Sequence, residues 1–578
     1  MPEPSTQPEH SGTLPSAPET PPSPTREVRA DAASYAGLEG PALPPSRGLT
    51  DLPPDVAELA EAAAAPKTPA PPGQKPRHPL VEMLLIAAPT VVTMTSYTVM
   101  QFIDGFMVSR ATDQVTINGV AQAVAGDQLV AAQGNGGMTV WLAMSMVLGL
   151  TGVINTYVSQ NLGAGRPERG PAYAWNGLWL SAFAAILMIP YGVALLPHIY
   201  AWLGHEQPLR TLETQYATIL CYGAFLTLGA RSLSHFFYGI HKPTIIMVCA
   251  LLANVLNIFL NAMLIYGRDG VPADWAGAGI LQPATWLART IDLAPMGVTG
   301  AALGTVIGSG IELVIPLGVF LGPGMNRAFK TRAAWRLSAP HLRDILKIGW
   351  PAALMFLNEM LCWGYLMSGL LPKAGEAAGE DPVLHNTAGW IALRYMHLSF
   401  MPAMGMSIAV TAIVGKCMGM GRPDLAAKRA WLGLSVTLAY MGLCALAFVA
   451  LREQMVRVFV DDGLEPERID ALVRIGASVM IAAAVFQLFD ALAITLSGAL
   501  RGAGDTIWPG VVTVILAWTC IIGLGHLLID LAPHLGSLGP WIGASLYIMA
   551  LGSALLWRFG RGKWKSIKLV DADAKPTA

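Results

Sequence analysis

From about residue 80 onward the chain is a succession of apolar runs, each long enough to cross a bilayer, separated by short polar connections. The pattern predicts six spans near 80–108, 137–160, 172–197, 214–239, 243–266 and 297–321. Six more follow near 345–371, 388–416, 428–451, 474–498, 506–530 and 537–558. Tight connections, such as Gly239 to Pro243 and Arg501 to Thr506, make neighbouring spans antiparallel. The fold class expected is all-α integral membrane.

One phrase occurs twice. Asn161-Leu-Gly-Ala-Gly-Arg-Pro-Glu168 returns as Cys417-Met-Gly-Met-Gly-Arg-Pro-Asp424, with Gly163 and Gly419 256 residues apart. Each copy closes an apolar run and opens a polar, basic stretch. Weaker echoes support a duplication: Tyr238 to Thr244 against Leu500 to Thr506, and Gly300-Ala-Ala-Leu303 against Gly543-Ala-Ser-Leu546. Six spans per copy return the chain to its starting side, so the two halves are expected to share one orientation about a pseudo-twofold along the membrane normal. Many proteins built this way move solutes. The phrase itself reads as a turn rather than a site.

Composition sharpens this. Of 578 residues, 53% are hydrophobic and 13% charged, too apolar for a soluble globular chain, and a net charge of −1 gives no case for nucleic acid. Residues 1–76, rich in Pro, Ser and Ala, read as a disordered cytoplasmic tail without a signal peptide. The organisation expected is an N-terminal lobe over 77–325, a linker over 326–343, a C-terminal lobe over 344–568 and a tail over 569–578. The six cysteines lie in or beside apolar runs and read as small core residues. Arg327, Lys330, Arg332, Arg336, Arg343 and Lys347 follow the sixth span, and Arg558, Arg561, Lys563, Lys565 and Lys568 follow the last. The positive-inside rule puts these loops and both termini in the cytoplasm, for a multi-pass protein of the inner cell membrane. Acids such as Asp269, Asp274, Glu376, Glu380, Asp381, Asp461 and Asp462 fall on the other side.

Candidate chemistry lies where charge enters an apolar run. An ionised group near mid-bilayer costs on the order of 2.5–3.5 kcal/mol, so it needs a partner or a water-filled cavity. Glu359 falls about 14 residues, roughly 21 Å, into the seventh span, and Asp490 about 16 residues, roughly 24 Å, into the tenth. Facing each other, they would bind a monovalent cation or share a proton. The plain alternative is a structural pair with a base such as Arg394. Asp104, near the outer end of the first span, reads equally as a helix-end acid. Arg231 and Arg394, near span ends, read as snorkelling, and His235 and His397 as hydrogen-bonded core residues. Asn257, Asn261 and Gln160 serve as interhelical glue as readily as ligands, and no metal spacing is present. Trp175, Trp179, Trp350 and Trp557 read as interface anchors. Phe356, Trp363, Phe486 and Phe489 flank the two deep acids and could stack on an organic cation, although packing is the commoner fate of each.

These residues resemble the multidrug and toxic compound extrusion (MATE) family over roughly residues 80–568. Pro89 with Ile103-Asp-Gly-Phe-Met-Val108 resembles its first helix, Val158 to Arg166 its second-helix exit, and Asn254 to Gly267 its fifth helix. Phe486-Gln-Leu-Phe-Asp490 with Gly498 to Thr506 resembles the tenth helix of the NorM-like branch. Glu359, eight residues after Pro351, falls on that branch's seventh-helix acid. The resemblance implies two six-helix lobes around a cleft and export of small organic cations in exchange for Na⁺ or H⁺. It places the coupling ion on Glu359 and Asp490, with Asp104 and Asn257 as a second polar site, and Phe356, Trp363, Phe486, Gln487 and Asn261 at the substrate cleft. No cofactor, no enzymatic activity and a monomer are expected. Lys416 stands where the family has Gln, and Asn261 where some branches have Asp. A flippase for lipid-linked sugars would want basic residues where these acids lie. A membrane-embedded enzyme would want a catalytic set, which the spans do not offer.

Overall fold

The computed structural model describes residues 78–570 except 118–119, 125, 273–274, 276 and 460–465. The expectations for residues 1–76, for Asp274, for the Asp461–Asp462 pair and for the last eight residues lie outside that range. Eleven helices are long and apolar enough to cross a membrane. Proline supplies many of the starts: Pro79, Pro167, Pro243, Pro382 and Pro423 occupy first helical positions, where the missing N–H costs nothing.

The N-terminal lobe comprises α1 (Pro79–Ser109), α2 (Gln128–Gly163), α3 (Pro167–Trp202), α4 (Leu209–Tyr222), α5 (Ala224–Gly239), α6 (Pro243–Tyr266), the short α7 (Gln282–Thr290) and α8 (Gly297–Leu321). The C-terminal lobe comprises α9 (Ala339–Ala378), α10 (Pro382–Gly419), α11 (Pro423–Ala450), α12 (Pro466–Ala503), α13 (Ile507–Leu531) and α14 (Leu538–Gly560). The expected fourth span is two pieces, α4 and α5, parted at Gly223. Neither piece alone has the length of a span, and α4 carries Arg210, Thr211, Glu213 and Thr214. Counted as one, the pair completes twelve spans.

Two expectations change. The chain is not purely helical: Asp113–Ile117 and Val120–Val124 pair as an antiparallel hairpin in what read as a long loop, and the Val298 N–H donates to Asp113 at 3.1 Å. The β-branched residues between two short helices of sequence favour strand. The second span also begins near Gln128, earlier than residue 137.

The repeated phrase folds the same way twice. Its second glycine takes a left-handed conformation, φ +73° at Gly165 and +68° at Gly421. The next N–H closes the helix end, Arg166 to the Asn161 carbonyl at 2.9 Å and Arg422 to the Cys417 carbonyl at 3.0 Å. The halves meet reciprocally: α1 packs on α10 and α9 on α2. Met83, Ile86 and Ala87 at the start of α1 sit in the apolar core of the C-terminal lobe, while Ile345 and Ile348 at the start of α9 sit in that of the N-terminal lobe. Such exchange is what a pseudo-twofold demands. Phe183, Ile186, Val255, Leu443 and Leu446 stay exposed, as lipid-facing residues do.

Candidate functional site

In the C-terminal lobe, Glu359 of α9, Asp490 of α12 and Tyr547 of α14 converge. The Tyr547 hydroxyl donates to Glu359 Oε1 at 3.4 Å, and both carboxylates lie within Coulombic reach of that tyrosine and of each other. Asp490 is buried, and among the described residues its carboxylate receives no hydrogen bond and makes no ion pair. Arg394, the base considered as a structural partner, lies instead over the Phe459 ring, 5.4 Å from its centre. Arg501 is the base within Coulombic reach of Glu359. Two deep acids with one long hydrogen bond between them are short of positive charge or protons.

The second group is in the N-terminal lobe. Asp104 is buried, not a helix-end acid on the surface. Asn261 donates to Asp104 Oδ1 at 2.7 Å and to Asn257 Oδ1 at 3.3 Å, so α1 and α6 bring these three together. Asn257 Nδ2 and Asn261 Oδ1 remain buried without partners. Asn261, expected at the substrate cleft, belongs to this polar cluster.

Of the aromatic candidates, Phe486 is 4% exposed within the lobe's core and meets Trp363 edge-on at 5.7 Å, with Trp363 also 6.1 Å from Trp541. Gln487 is buried and accepts from Ser399 at 2.8 Å. These three are placed by packing, whereas Phe356, one turn before Glu359, is only half-buried.

Reading the sequence missed several partners. Glu312, 15 residues into α8, pairs with Arg231 at 3.5 Å, and Arg231 stacks on Tyr97 at 4.0 Å. Arg231 therefore points into the lobe and does not snorkel. An acid in mid-span was signal enough for Glu312. Asn358, beside Glu359, accepts from Trp518 Nε1 at 2.7 Å, which no sequence spacing announced. His235 Nδ1 has no hydrogen-bond partner, contrary to expectation. Trp175 and Trp179 donate their indole N–H groups to the carbonyls of Thr331 and Trp335, fastening the linker onto α3.

Curated relatives include a probable multidrug resistance protein NorM of Thermotoga maritima, 26% identical over 74% of this chain and 83% of that protein. Another, of the same description from Burkholderia mallei, is 26% identical over 88% of this chain and 98% of that one. A solved structure described as the outward-facing conformation of a multidrug resistance MATE family transporter superposes with a TM-score of 0.67, at 19% identity over 85% of this chain and 98% of that one. The MatE family profile matches residues 89–263 and 386–525, more than half the chain. The chain belongs to the MATE family of membrane transporters.

Proposed function

We propose that this protein exports small organic cations in exchange for Na⁺ or H⁺, by alternating access of two lobes in the inner cell membrane, with both termini and the basic loops in the cytoplasm. The observation that carries the reading is the under-partnered acid pair, Glu359 and Asp490, deep in the C-terminal lobe. Relatives described as multidrug resistance proteins support the substrate class. A coupling ion and a cationic drug would compete for the same negative site. One ion entering down 100 mV supplies ~2.3 kcal/mol before any concentration gradient is counted. Loading the pair would stabilise one lobe arrangement over the other, which is how binding drives rocking. Asp104, Asn257 and Asn261 form a second polar site in this reading. A flippase for phosphate-bearing lipids is disfavoured by the acidic polarity of the deep charges.

The test is ethidium efflux from vesicles with an imposed Na⁺ or pH gradient. Asp490→Asn and Glu359→Gln should each cut coupled efflux at least tenfold with unchanged amounts of protein in the membrane. Efflux at the normal rate in either variant would sink the assignment, and the gradient that drives the native protein identifies the ion.

A further inference from the structure

The two copies of the repeated phrase lie against each other. A Cβ on Gly163 would fall 2.1 Å from the Lys416 carbonyl oxygen, and a Cβ on Gly419 would fall 2.0 Å from the Gln160 carbonyl oxygen. Gln160 and Lys416 stand one repeat period apart, as Gly163 and Gly419 do. The exits of α2 and α10 therefore cross backbone on backbone at the pseudo-twofold, and only glycine permits the approach.

Hydrogen bonds between the lobes gather around this crossing. Asn155 donates to the Ile408 carbonyl at 3.2 Å, Thr156 to that of Arg501 at 2.9 Å and Gln160 to that of Gly502 at 2.9 Å. His241 pairs with the Ala412 carbonyl at 3.1 Å, and Thr90 donates to that of Gly405 at 2.8 Å. Glu82 of α1 pairs with Arg429 of α11 at 2.6 Å where the bundle reaches the basic loops. At the opposite end the bonds stay within a lobe: Asn135 to Glu213 and Tyr266 to Met107 in one, His385 to Ser537 and Arg474 to Glu380 in the other.

We propose that the repeated phrases form the inner gate of the transport cycle, the seam that must part for substrate to enter from the cytoplasm. The proposal rests on the alternating-access reading above. A seam of this kind suits reversible opening. Its polar groups can exchange protein partners for water when the lobes separate, whereas an interlocked apolar core would lose its burial. Gly163 and Gly419 are its positioning residues: they set how closely the lobes approach and touch no substrate.

The experiment uses the full chain with its six native cysteines replaced by serine, in proteoliposomes. Glu82→Cys with Arg429→Cys, bridged by a short bifunctional methanethiosulfonate, should transport ethidium at least tenfold more slowly and recover on reduction. Unimpaired transport by the bridged protein would overturn the gate. A second readout needs no substrate. An Asn155→Cys thiol should react slowly with a membrane-impermeant maleimide added from the basic-loop side, and at least tenfold faster once Gly163→Val or Gly419→Val is added. Unchanged labelling in both glycine variants would overturn the gate as well. Were no sample to move ethidium, the export reading would fail while the labelling still decided the gate.

Discussion

Tyr547 donates one hydroxyl to Glu359 while Asp490 receives nothing, so the two carboxylates differ in how tightly the protein already holds them. Tyr547→Phe should leave the fold intact and weaken the ion dependence of efflux by severalfold, read as a shift in the half-saturating Na⁺ or proton concentration. The Arg231–Glu312 pair is different in kind: its members are 25% and 12% exposed and hold α5 to α8. Removing one partner strands the other, so Glu312→Gln should cost about 2–3 kcal/mol, seen as a lowered unfolding midpoint in detergent. Adding Arg231→Gln should recover part of the loss. Glu359, Asp490 and Asp104 were legible in the sequence because a lone acid in an apolar run has no cheap explanation. Their partners were not: Tyr547 and Trp518 are ordinary residues of a span until the fold aims them.

At the scale of the element, α9 and α13 are tied by two bonds, Trp518 to Asn358 at 2.7 Å and Tyr365 to His526 at 2.9 Å. Both helices pass through π-helical turns there, Leu366–Leu370 and Ala517–Leu524. A π turn carries one more residue per turn than its surroundings and re-aims the side chains beyond it. Hydrophobic periodicity gives no sign of such turns, since the run remains apolar throughout. Trp518→Phe should cost about 1 kcal/mol by unpairing Asn358 and, because Asn358 adjoins Glu359, should also alter the ion dependence of efflux. A purely structural role would move the unfolding midpoint alone. The interrupted fourth span and the hairpin Asp113–Ile117 with Val120–Val124 escaped the sequence for a related reason: long-range contacts, not local pattern, decide them.

For the whole molecule, the duplicated phrase revealed the number of lobes and their relation, and the positions of the remaining spans followed from apolar length. What it concealed was its own place, because packing across a pseudo-twofold leaves no mark on spacing. The Glu82–Arg429 pair shows how the seam differs from the core. Glu82 is 43% exposed, so Glu82→Gln should change the unfolding free energy by less than about 1 kcal/mol, yet it should speed maleimide labelling of an Asn155→Cys probe. A large stability loss without a change in labelling would mark the pair as a fold contact.

The hydrogen bonds that close the seam have a direction. Thr90, Asn155, Thr156, Gln160 and His241 all belong to the N-terminal lobe, and each reaches a main-chain carbonyl of the C-terminal lobe. Main-chain acceptors survive substitution of the residue that carries them. In a saturation survey of growth under drug, Asn155 and Gln160 should therefore tolerate few replacements, while Ile408 and Ala412, at the receiving ends of two of these bonds, should accept other small or apolar residues. The two halves, alike in descent, would then evolve under unequal constraint, one supplying the vocabulary of the contact and the other only its backbone.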